Sequence, residues 1–268
     1  LEASPVIAGR DDPLNRLPAR LDDGLVYLEK YWQAEHDVAR DLATLAADPP
    51  SQGPVSADDV VSSISNALAA SGIMLDPAQA DAAIAAIMHR VSVLAGGPGT
   101  GKTTTVCALL AALQRADPHL GAVALAAPSG KAAARLRDSV SQVSERMPDD
   151  LKPIVADATT VHSLLKWQGP GTSFGYDEQH KLPFGVVVVD EASMLSLPLA
   201  ASLLSAIGPQ TRLILVGDPG QLVSVDAGSV LADIVSSADA LQAQLPVTIL
   251  TCNPVSYTHL TLPTIYSV

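Results

Sequence analysis

The chain has 268 residues, of which 48% are hydrophobic and only 3% aromatic, and its formal net charge is −12. This length suits one large domain or two modest ones, with a core built mainly from Ala, Val, Leu and Ile. An acidic chain is repelled by a phosphate backbone, so nucleic-acid contacts must come from a local patch or a partner subunit. No apolar run is long enough to predict a membrane span. The two cysteines lack metal-ligand spacing, which indicates reduced thiols and a cytoplasmic location.

The N-terminal part of the chain carries helical signals. Apolar residues recur at helical spacing from Leu25 to Leu45, and a Pro-rich stretch then ends this helix. A second helix is predicted over residues 57–70. Residues 1–20 are rich in Pro, Arg and Asp and are predicted to form a loop or arm. We therefore predict a small helical N-terminal domain over residues 1–74.

Short apolar runs alternate with helical segments after residue 75. Continuously apolar strands separated by helices indicate a parallel sheet that is covered by helices on both faces. An α/β domain is therefore predicted over residues 75–253. The predicted strands are 91–95, 122–126, 186–189, 213–216 and 247–250, and the predicted helices are 78–89, 102–115, 130–145, 197–206 and 228–238.

The C-terminal tail, residues 254–268, shows neither helical nor strand periodicity. Residues 255–264 (VSYTHLTLPT) look like the in-frame translation of a sequencing adapter. We therefore expect a non-native tail after Asn253. The alternative is that the tail is natural protein, and source codons that do not spell an adapter would favour it.

A phosphate-binding loop is predicted where the first strand of the α/β domain meets its next helix. The segment GGPGTGKT fits the pattern G-x-x-x-x-G-K-[ST] in the strand-to-helix context that the pattern requires. Backbone N–H groups of such a loop surround phosphate oxygens, and the helix N-terminus adds positive potential. Lys102 is expected to reach the β- and γ-phosphates of ATP, and the Thr103 hydroxyl to bind Mg²⁺. The predicted nucleotide-contacting residues are Gly97, Pro98, Gly99, Thr100, Gly101, Lys102, Thr103 and Thr104.

Two carboxylates follow the predicted strand 186–189. In P-loop folds this end of a strand faces the nucleotide. Asp190 is expected to hold Mg²⁺, and Glu191 to polarise the water that attacks the γ-phosphate. The alternative is that the two acids cap a short helix.

A third polar turn, Gly217–Gln221 (GDPGQ), follows the next predicted strand. The Gln221 amide both donates and accepts hydrogen bonds, so it can sense the γ-phosphate and its loss. The alternative is a surface Gln in a turn. A strand followed by G-D-x-x-Q is typical of helicases, which makes this motif more specific than the phosphate-binding loop alone.

Taken together, these motifs resemble the RecD family, the alpha subunits of exodeoxyribonuclease V, which are superfamily 1B DNA helicases. Upstream, residues 26–45 and 75–83 are also similar to RecD sequences. The principal matching stretches are GGPGTGKTTT (96–105), APSGKAAARL (127–136), TTVHSLL (159–165), VVVDEASM (187–194) and GDPGQLVSVDAG (217–228).

The resemblance implies an ATP- and Mg²⁺-dependent helicase that moves 5′ to 3′ on DNA, with RecB-like and RecC-like partner subunits. It identifies residues 75–253 as a RecA-like lobe 1A and residues 1–74 as a subunit-interaction domain. The second lobe and its arginine finger would lie beyond Asn253. We therefore expect this chain alone to hydrolyse ATP slowly and not to unwind DNA. The alternatives are a stand-alone RecD-like or relaxase-associated helicase, and a non-catalytic scaffold that retains an ATP-binding fold.

The resemblance also assigns residue roles beyond the ATP motifs. Gln79 is expected to contact adenine, or else to be an exposed helix residue. Apart from the resemblance, the indole of Trp167 is suited to stacking on a base, but a lone Trp beside a loop is more often a packing anchor. The alternative for Lys131 and Arg135 is a solvated helix face. For His162 it is a helix cap, and for Ser224 it is a turn residue. The residues that the resemblance places against DNA are Pro128, Ser129, Lys131, Arg135, Thr160, His162 and Ser224.

Overall fold

The computed structural model describes residues 6–10, 12, 17–50, 55–169, 174–221, 230–237 and 245–251. Ser224 and the predicted tail lie outside these ranges. The strands are β1 (Ile7–Ala8), β2 (Ala19–Asp22), β3 (Leu25–Leu28), β4 (Val91–Gly96), β5 (Val123–Ala127), β6 (Thr159–Thr160), β7 (Val186–Val189), β8 (Arg212–Gly217) and β9 (Val247–Leu250).

The helices cover both faces of the larger sheet. None of those described combines the length and the hydropathy that a membrane crossing requires. They are α1 (Glu29–Ala47), α2 (Ala57–Ala70), α3 (Pro77–Met88), α4 (Lys102–Ala116), α5 (Gly130–Arg146), α6 (Val161–Leu164), α7 (Leu197–Ala206) and α8 (Val230–Ser236).

Six strands form one parallel sheet in the order β6-β5-β7-β8-β4-β9. The prediction of a parallel α/β sheet is therefore confirmed, although the two-residue β6 was not predicted. Because all six strands run the same way, their carboxyl ends meet at one edge of the sheet. β4, β7 and β8 are neighbours in the middle, so the three motifs that follow them are brought together.

Strand residues alternate between two apolar clusters, one on each face of the sheet. In β7, Val186 and Val188 belong to one cluster and Val187 and Val189 to the other. Every one of these side chains is fully buried. This explains why the strand reads as an unbroken apolar run, since both faces are covered.

The N-terminal region differs from the prediction of a small helical domain. Residues predicted as a loop or as the start of a helix instead form a three-stranded sheet, β1-β2-β3, and α1 begins at Glu29. β2 and β3 are joined through Asp23 and Gly24, both at positive φ. Asp-Gly is a strong two-residue hairpin signal, and it was present in the sequence.

The two N-terminal helices also do not pack as one unit in the described residues. The apolar side of α1 joins the cluster that contains α7, whereas α2 packs on α3 and α4 in the cluster on the other face. Helical spacing shows which side of a helix is apolar but not which partner covers it. The domain boundary at residue 74 stays a prediction.

Candidate nucleotide-binding and DNA-binding site

The phosphate-binding loop connects β4 to α4 and contains two glycines in the left-handed region, Gly99 at φ 77° and Gly101 at φ 84°. L-amino acids with a β-carbon rarely adopt this conformation. The Thr100 hydroxyl donates a hydrogen bond to the Gly97 carbonyl at 2.9 Å. The loop is therefore held by its own backbone and by one buried hydroxyl.

The Lys102 ammonium folds back over the same loop. Its Nζ donates hydrogen bonds to the carbonyl oxygens of Gly96 at 2.7 Å and Gly97 at 2.8 Å. A cation is thus placed beside the N-terminus of α4, where the helix dipole also favours an anion. Thr103 lies in the first turn of α4 and is half-buried.

The two predicted catalytic carboxylates follow β7. Burial raises the pKa of Asp190; the hydrogen bond from the Glu191 backbone lowers this pKa, the Glu191 charge raises it, and the Lys102 charge lowers it. The Lys102 ammonium thus favours the ionised form of Asp190, although burial outweighs it. Glu191 has φ 52° and begins the 3-10 turn Ala192–Met194, so the acids do lie at a helical turn, as the alternative supposed. No side-chain capping bond accompanies Glu191.

The turn after β8 lies against the phosphate-binding loop. A β-carbon on Gly97 would be 3.9 Å from Asp218 Oδ2. Asp218 also organises its own turn, because its Oδ1 accepts a hydrogen bond from Gly220 N at 2.9 Å and its carbonyl accepts one from Gln221 N at 3.1 Å. Gln221 is exposed. Asp218 was not singled out from the sequence, although it lies in the G-D-x-x-Q motif.

Gln79 is buried, with 7% of its surface exposed, so the alternative of an exposed helix residue is wrong. It forms a capping box at the start of α3, in which Gln79 N donates to Asp76 Oδ1 and Gln79 Oε1 accepts from Asp76 N. Its Nε2 lies against Gly101 of the phosphate-binding loop. Contact between Gln79 and adenine stays a prediction.

The predicted DNA-contacting residues follow the two outer strands β5 and β6, which pair through Ala127 and Thr160. Ser129 caps α5 by accepting a hydrogen bond from Ala132 N, and Thr160 caps α6 by accepting one from Ser163 N. Ser129 and Thr160, rather than His162, are thus the helix caps. Pro128 is half-buried at the end of β5. The exposed members of this group are Lys131, Arg135 and His162.

The nucleotide motifs and the DNA candidates therefore share one edge of the sheet. The order β6-β5-β7-β8-β4 places the residues that follow β5 and β6 on one side of Asp190 and Glu191. Lys102 and Gln221 follow strands on the other side. The arrangement can bind a nucleoside triphosphate beside a second anionic ligand.

Comparison with known proteins agrees with this geometry. The family described as "AAA domain" matches residues 79–227, which is more than half of the chain. "RecBCD enzyme subunit RecD" of Mycobacterium tuberculosis is 43% identical over 255 residues, covering 91% of this chain and 41% of that protein. The protein of the same name from Haemophilus influenzae is 34% identical, covering 85% of this chain and 37% of that protein.

A relative with a different name is "ATP-dependent RecD2 DNA helicase" of Deinococcus radiodurans. It is 34% identical over 224 residues, covering 84% of this chain and 28% of that protein. The chain thus spans about two fifths or less of the length of these relatives. Its relatives by sequence are RecD-type proteins. Because the family model matches residues 79–227, the chain belongs to the AAA domain family.

Proposed function

We propose that this chain is the nucleotide-binding lobe of an ATP-dependent DNA helicase subunit that moves 5′ to 3′ in a RecBCD-like repair and recombination complex. The observation that carries the proposal is the position of Lys102, Asp190 and Gln221. They follow three neighbouring strands of one parallel sheet, on the same edge as the exposed cations that follow β5. The names of the matched relatives support the same function.

ATP would bind with its phosphates at the phosphate-binding loop. The Lys102 ammonium would then leave the carbonyls of Gly96 and Gly97 and contact the β- and γ-phosphates. Glu191 would orient the attacking water. The exposed amide of Gln221 follows a neighbouring strand and would respond to the loss of the γ-phosphate.

The residues present fit a Mg²⁺ ion. The Thr103 hydroxyl and the Asp190 carboxylate are hard oxygen donors of the kind that this ion takes. The ionised form of Asp190 is disfavoured by burial, which a divalent cation would offset. When bound with ATP, Mg²⁺ supplies charge neutralisation at the phosphate oxygens.

DNA would bind at Ser129, Lys131, Arg135, Thr160 and His162. The start of α5 offers backbone N–H groups and a helix dipole, which are suited to a phosphate. The overall charge of −12 opposes DNA binding, so this local patch must provide the attraction. Gln79 is proposed to contact adenine, which requires its amide to turn from the capping box toward the base.

RecB-like and RecC-like subunits are the proposed partners, in the cytoplasm. The N-terminal sheet supports a subunit-contact role for residues 1–74, because Leu25, Val26 and Leu28 of β3 are all more than half exposed. The alternative is a helicase that acts without such partners, and the match to the Deinococcus protein supports it. Purification of the complete protein with its neighbouring gene products would show whether it forms a complex with such subunits or acts without them.

The nucleotide part of the proposal is tested by titrating the chain with MgATP in a calorimeter. Binding is expected for the wild type and should be lost in Lys102→Gln. Lys152→Gln is the matched control, because Lys152 is paired with Asp149 away from the loop. Equal affinity in Lys102→Gln and the wild type would contradict the proposed site.

The motor part needs the complete subunit, and its partners where they copurify. Single-stranded DNA should stimulate ATP hydrolysis there, and Lys102→Gln should abolish translocation. Unchanged translocation in Lys102→Gln would favour the non-catalytic scaffold. The chain alone is expected to turn ATP over slowly, because an arginine finger from another lobe contributes roughly 10³–10⁵ in rate.

A further inference from the structure

Among the Phe, Trp and Tyr side chains in the described part of the chain, Trp167 is the one that is exposed. Its exposed fraction is 52%, whereas Trp32, the other tryptophan, is only 8% exposed and donates its indole N–H to Asp22. An exposed indole is costly in water, because it offers a large apolar surface. About half of the Trp167 surface is therefore open to a ligand, whereas the rest packs within the chain.

The backbone that carries Trp167 is firmly held. Its N–H donates to the His162 carbonyl at 2.9 Å, and the residue forms an antiparallel bridge with Phe174. Lys166, just before it, has φ 55°, and a β-carbon on Gly175 would be 2.9 Å from the Lys166 Cβ. Leu165 is completely buried. Trp167 thus belongs to a ribbon, formed by residues 165–167 and 174–178, whose described backbone is held by hydrogen bonds.

The ribbon lies beside the proposed phosphate contacts. It follows α6, whose cap Thr160 pairs with Ala127 of β5, and Ser129 and Lys131 come directly after β5. The His162 ring packs edge-on to the indole, with 6.1 Å between ring centroids and 82° between planes. The two rings are nearly perpendicular, so the imidazole does not stack flat on the indole.

We propose that one face of the Trp167 indole stacks on a nucleobase of single-stranded DNA whose phosphates contact Ser129, Lys131 and Thr160. This inference rests on the proposed function as a DNA motor. Every base has a flat π-surface, so stacking would hold the strand without reading its sequence. Double-stranded DNA is not the expected ligand, because its bases are already stacked on each other.

The charges around the ribbon match this ligand in part. Lys166 precedes Trp167 in the chain, but its Nζ lies over a different ring, 4.8 Å from the centre of Tyr176. Asp177 and Glu178 follow on the same ribbon and oppose a phosphate. The attraction must therefore come from Lys131 and Arg135 on α5, with the indole adding an uncharged contact that salt screens little.

The test measures binding of the full chain to a fluorescein-labelled strand of fifteen thymidines and to a strand of equal length made of abasic sites. The two strands share a sugar–phosphate backbone and differ only in the bases. The wild type should bind the thymidine strand more tightly. Trp167→Ala should weaken binding to that strand about tenfold and leave binding to the abasic strand unchanged. Trp167→Phe should restore most of the loss.

Ile154→Ala is the matched control, since Ile154 is 82% exposed and lies outside both proposed sites. It should bind both strands like the wild type. A second readout is intrinsic fluorescence: thymidine binding should quench the wild type but not Trp167→Phe, in which Trp32 is the remaining indole. Neither the fluorescence comparison nor the comparison of wild-type affinities for the two strands requires Trp167→Ala to fold.

The outcomes separate the two proposals. If the wild type binds neither strand, the DNA function fails and the stacking fails with it. If the wild type binds the thymidine strand but Trp167→Ala binds it equally well, the stacking is overturned while the DNA function stands. Equal affinity of the wild type for the two strands overturns the stacking in the same way.

Discussion

Gln79 and Gly101 are in such close contact that a β-carbon on Gly101 would lie 2.5 Å from Gln79 Nε2. Gln79 is fixed by its capping box with Asp76, so the start of α3 supports the residue just before Lys102. Gln79, which is proposed to contact adenine, therefore also supports the phosphate-binding loop.

Gly101→Ala is expected to destabilise the nucleotide-free chain for two reasons. The residue has φ 84°, which costs a β-carbon about 1–2 kcal/mol, and the new methyl group would collide with Gln79. Urea unfolding should show a larger loss than for Gly99→Ala. Gly99 has φ 77° but nothing within 4 Å of a β-carbon, so it isolates the backbone strain. Adding Gln79→Ala to Gly101→Ala should recover part of the difference, and equal losses in the two single variants would contradict the contact.

Asp190→Asn is expected to stabilise the ligand-free chain at neutral pH and to remove the effect of Mg²⁺ on ATP binding. Burial raises the folded pKa of Asp190 above its usual 3.8, so the stability it contributes is complete below pH 3.8 and is lost as the pH rises through the folded pKa. At neutral pH the ionised carboxylate therefore costs stability, which the amide avoids.

Thermal unfolding of Asp190→Asn and the wild type should show this difference at pH 7 and a smaller one near pH 4. Calorimetric titration with ATP, with and without Mg²⁺, checks whether Asp190→Asn removes the effect of Mg²⁺ on ATP affinity. The exposed Asp81 provides a control, and Asp81→Asn should leave Mg²⁺-dependent ATP binding unchanged. A lower melting temperature for Asp190→Asn at neutral pH would show that burial does not dominate at this carboxylate.

Cys107 lies on α4 in the apolar core, and burial raises the pKa of its thiol from 9.0 to about 12. Because the folded pKa lies above the unfolded one, the stability from the neutral thiol is present below pH 9 and is lost between pH 9 and about 12. The free energy of unfolding should therefore fall more steeply over this range in the wild type than in Cys107→Ala.

Thiol labelling checks the same burial directly. In a Cys252→Ser background, native protein at pH 8 should react with iodoacetamide only after urea is added, because a buried neutral thiol is a poor nucleophile. Rapid labelling of the native chain would contradict it.

Arg20 and Glu29 form a buried ion pair that joins β2 to α1, with Nε to Oε2 and Nη2 to Oε1 distances of 2.7 Å each. The Arg20 side chain is fully inaccessible, and its Nη1 also donates to the carbonyl of Gly9. Glu29→Gln should destabilise the N-terminal region by about 3 kcal/mol, since the buried guanidinium loses the carboxylate that is hydrogen-bonded to it.

Urea unfolding followed by tryptophan fluorescence reports this change, because Trp32 lies over the Arg20 guanidinium at 4.3 Å. The exposed pair of Lys152 and Asp149 is the control, and Lys152→Met should cost far less stability than Glu29→Gln. A loss for Glu29→Gln no larger than that of the control would show that the buried pair adds little.

The amino-acid sequence by itself determined the features that depend on neighbours along the chain. Continuous apolar runs predicted the strands because both faces of the sheet are covered. G-x-x-x-x-G-K-T predicted the phosphate-binding loop, in which Gly99 and Gly101 are at positive φ. Asp23-Gly24 is an equally local signal for the β2–β3 hairpin. It was missed because the predicted helix began at Leu25, whereas residues 25–28 form β3 and α1 begins at Glu29.

Only the tertiary structure decided which distant segments touch. Three contacts show this: Gln79 with Gly101, Asp218 with Gly97, and the ion pair of Arg20 with Glu29. The number of residues between two such side chains does not predict that they touch. The same holds for α1 and α2, whose apolar sides were predicted but whose partners were not. Apolar burial is non-directional, so a sequence can show that a face must be covered while the packing of the whole chain selects what covers it.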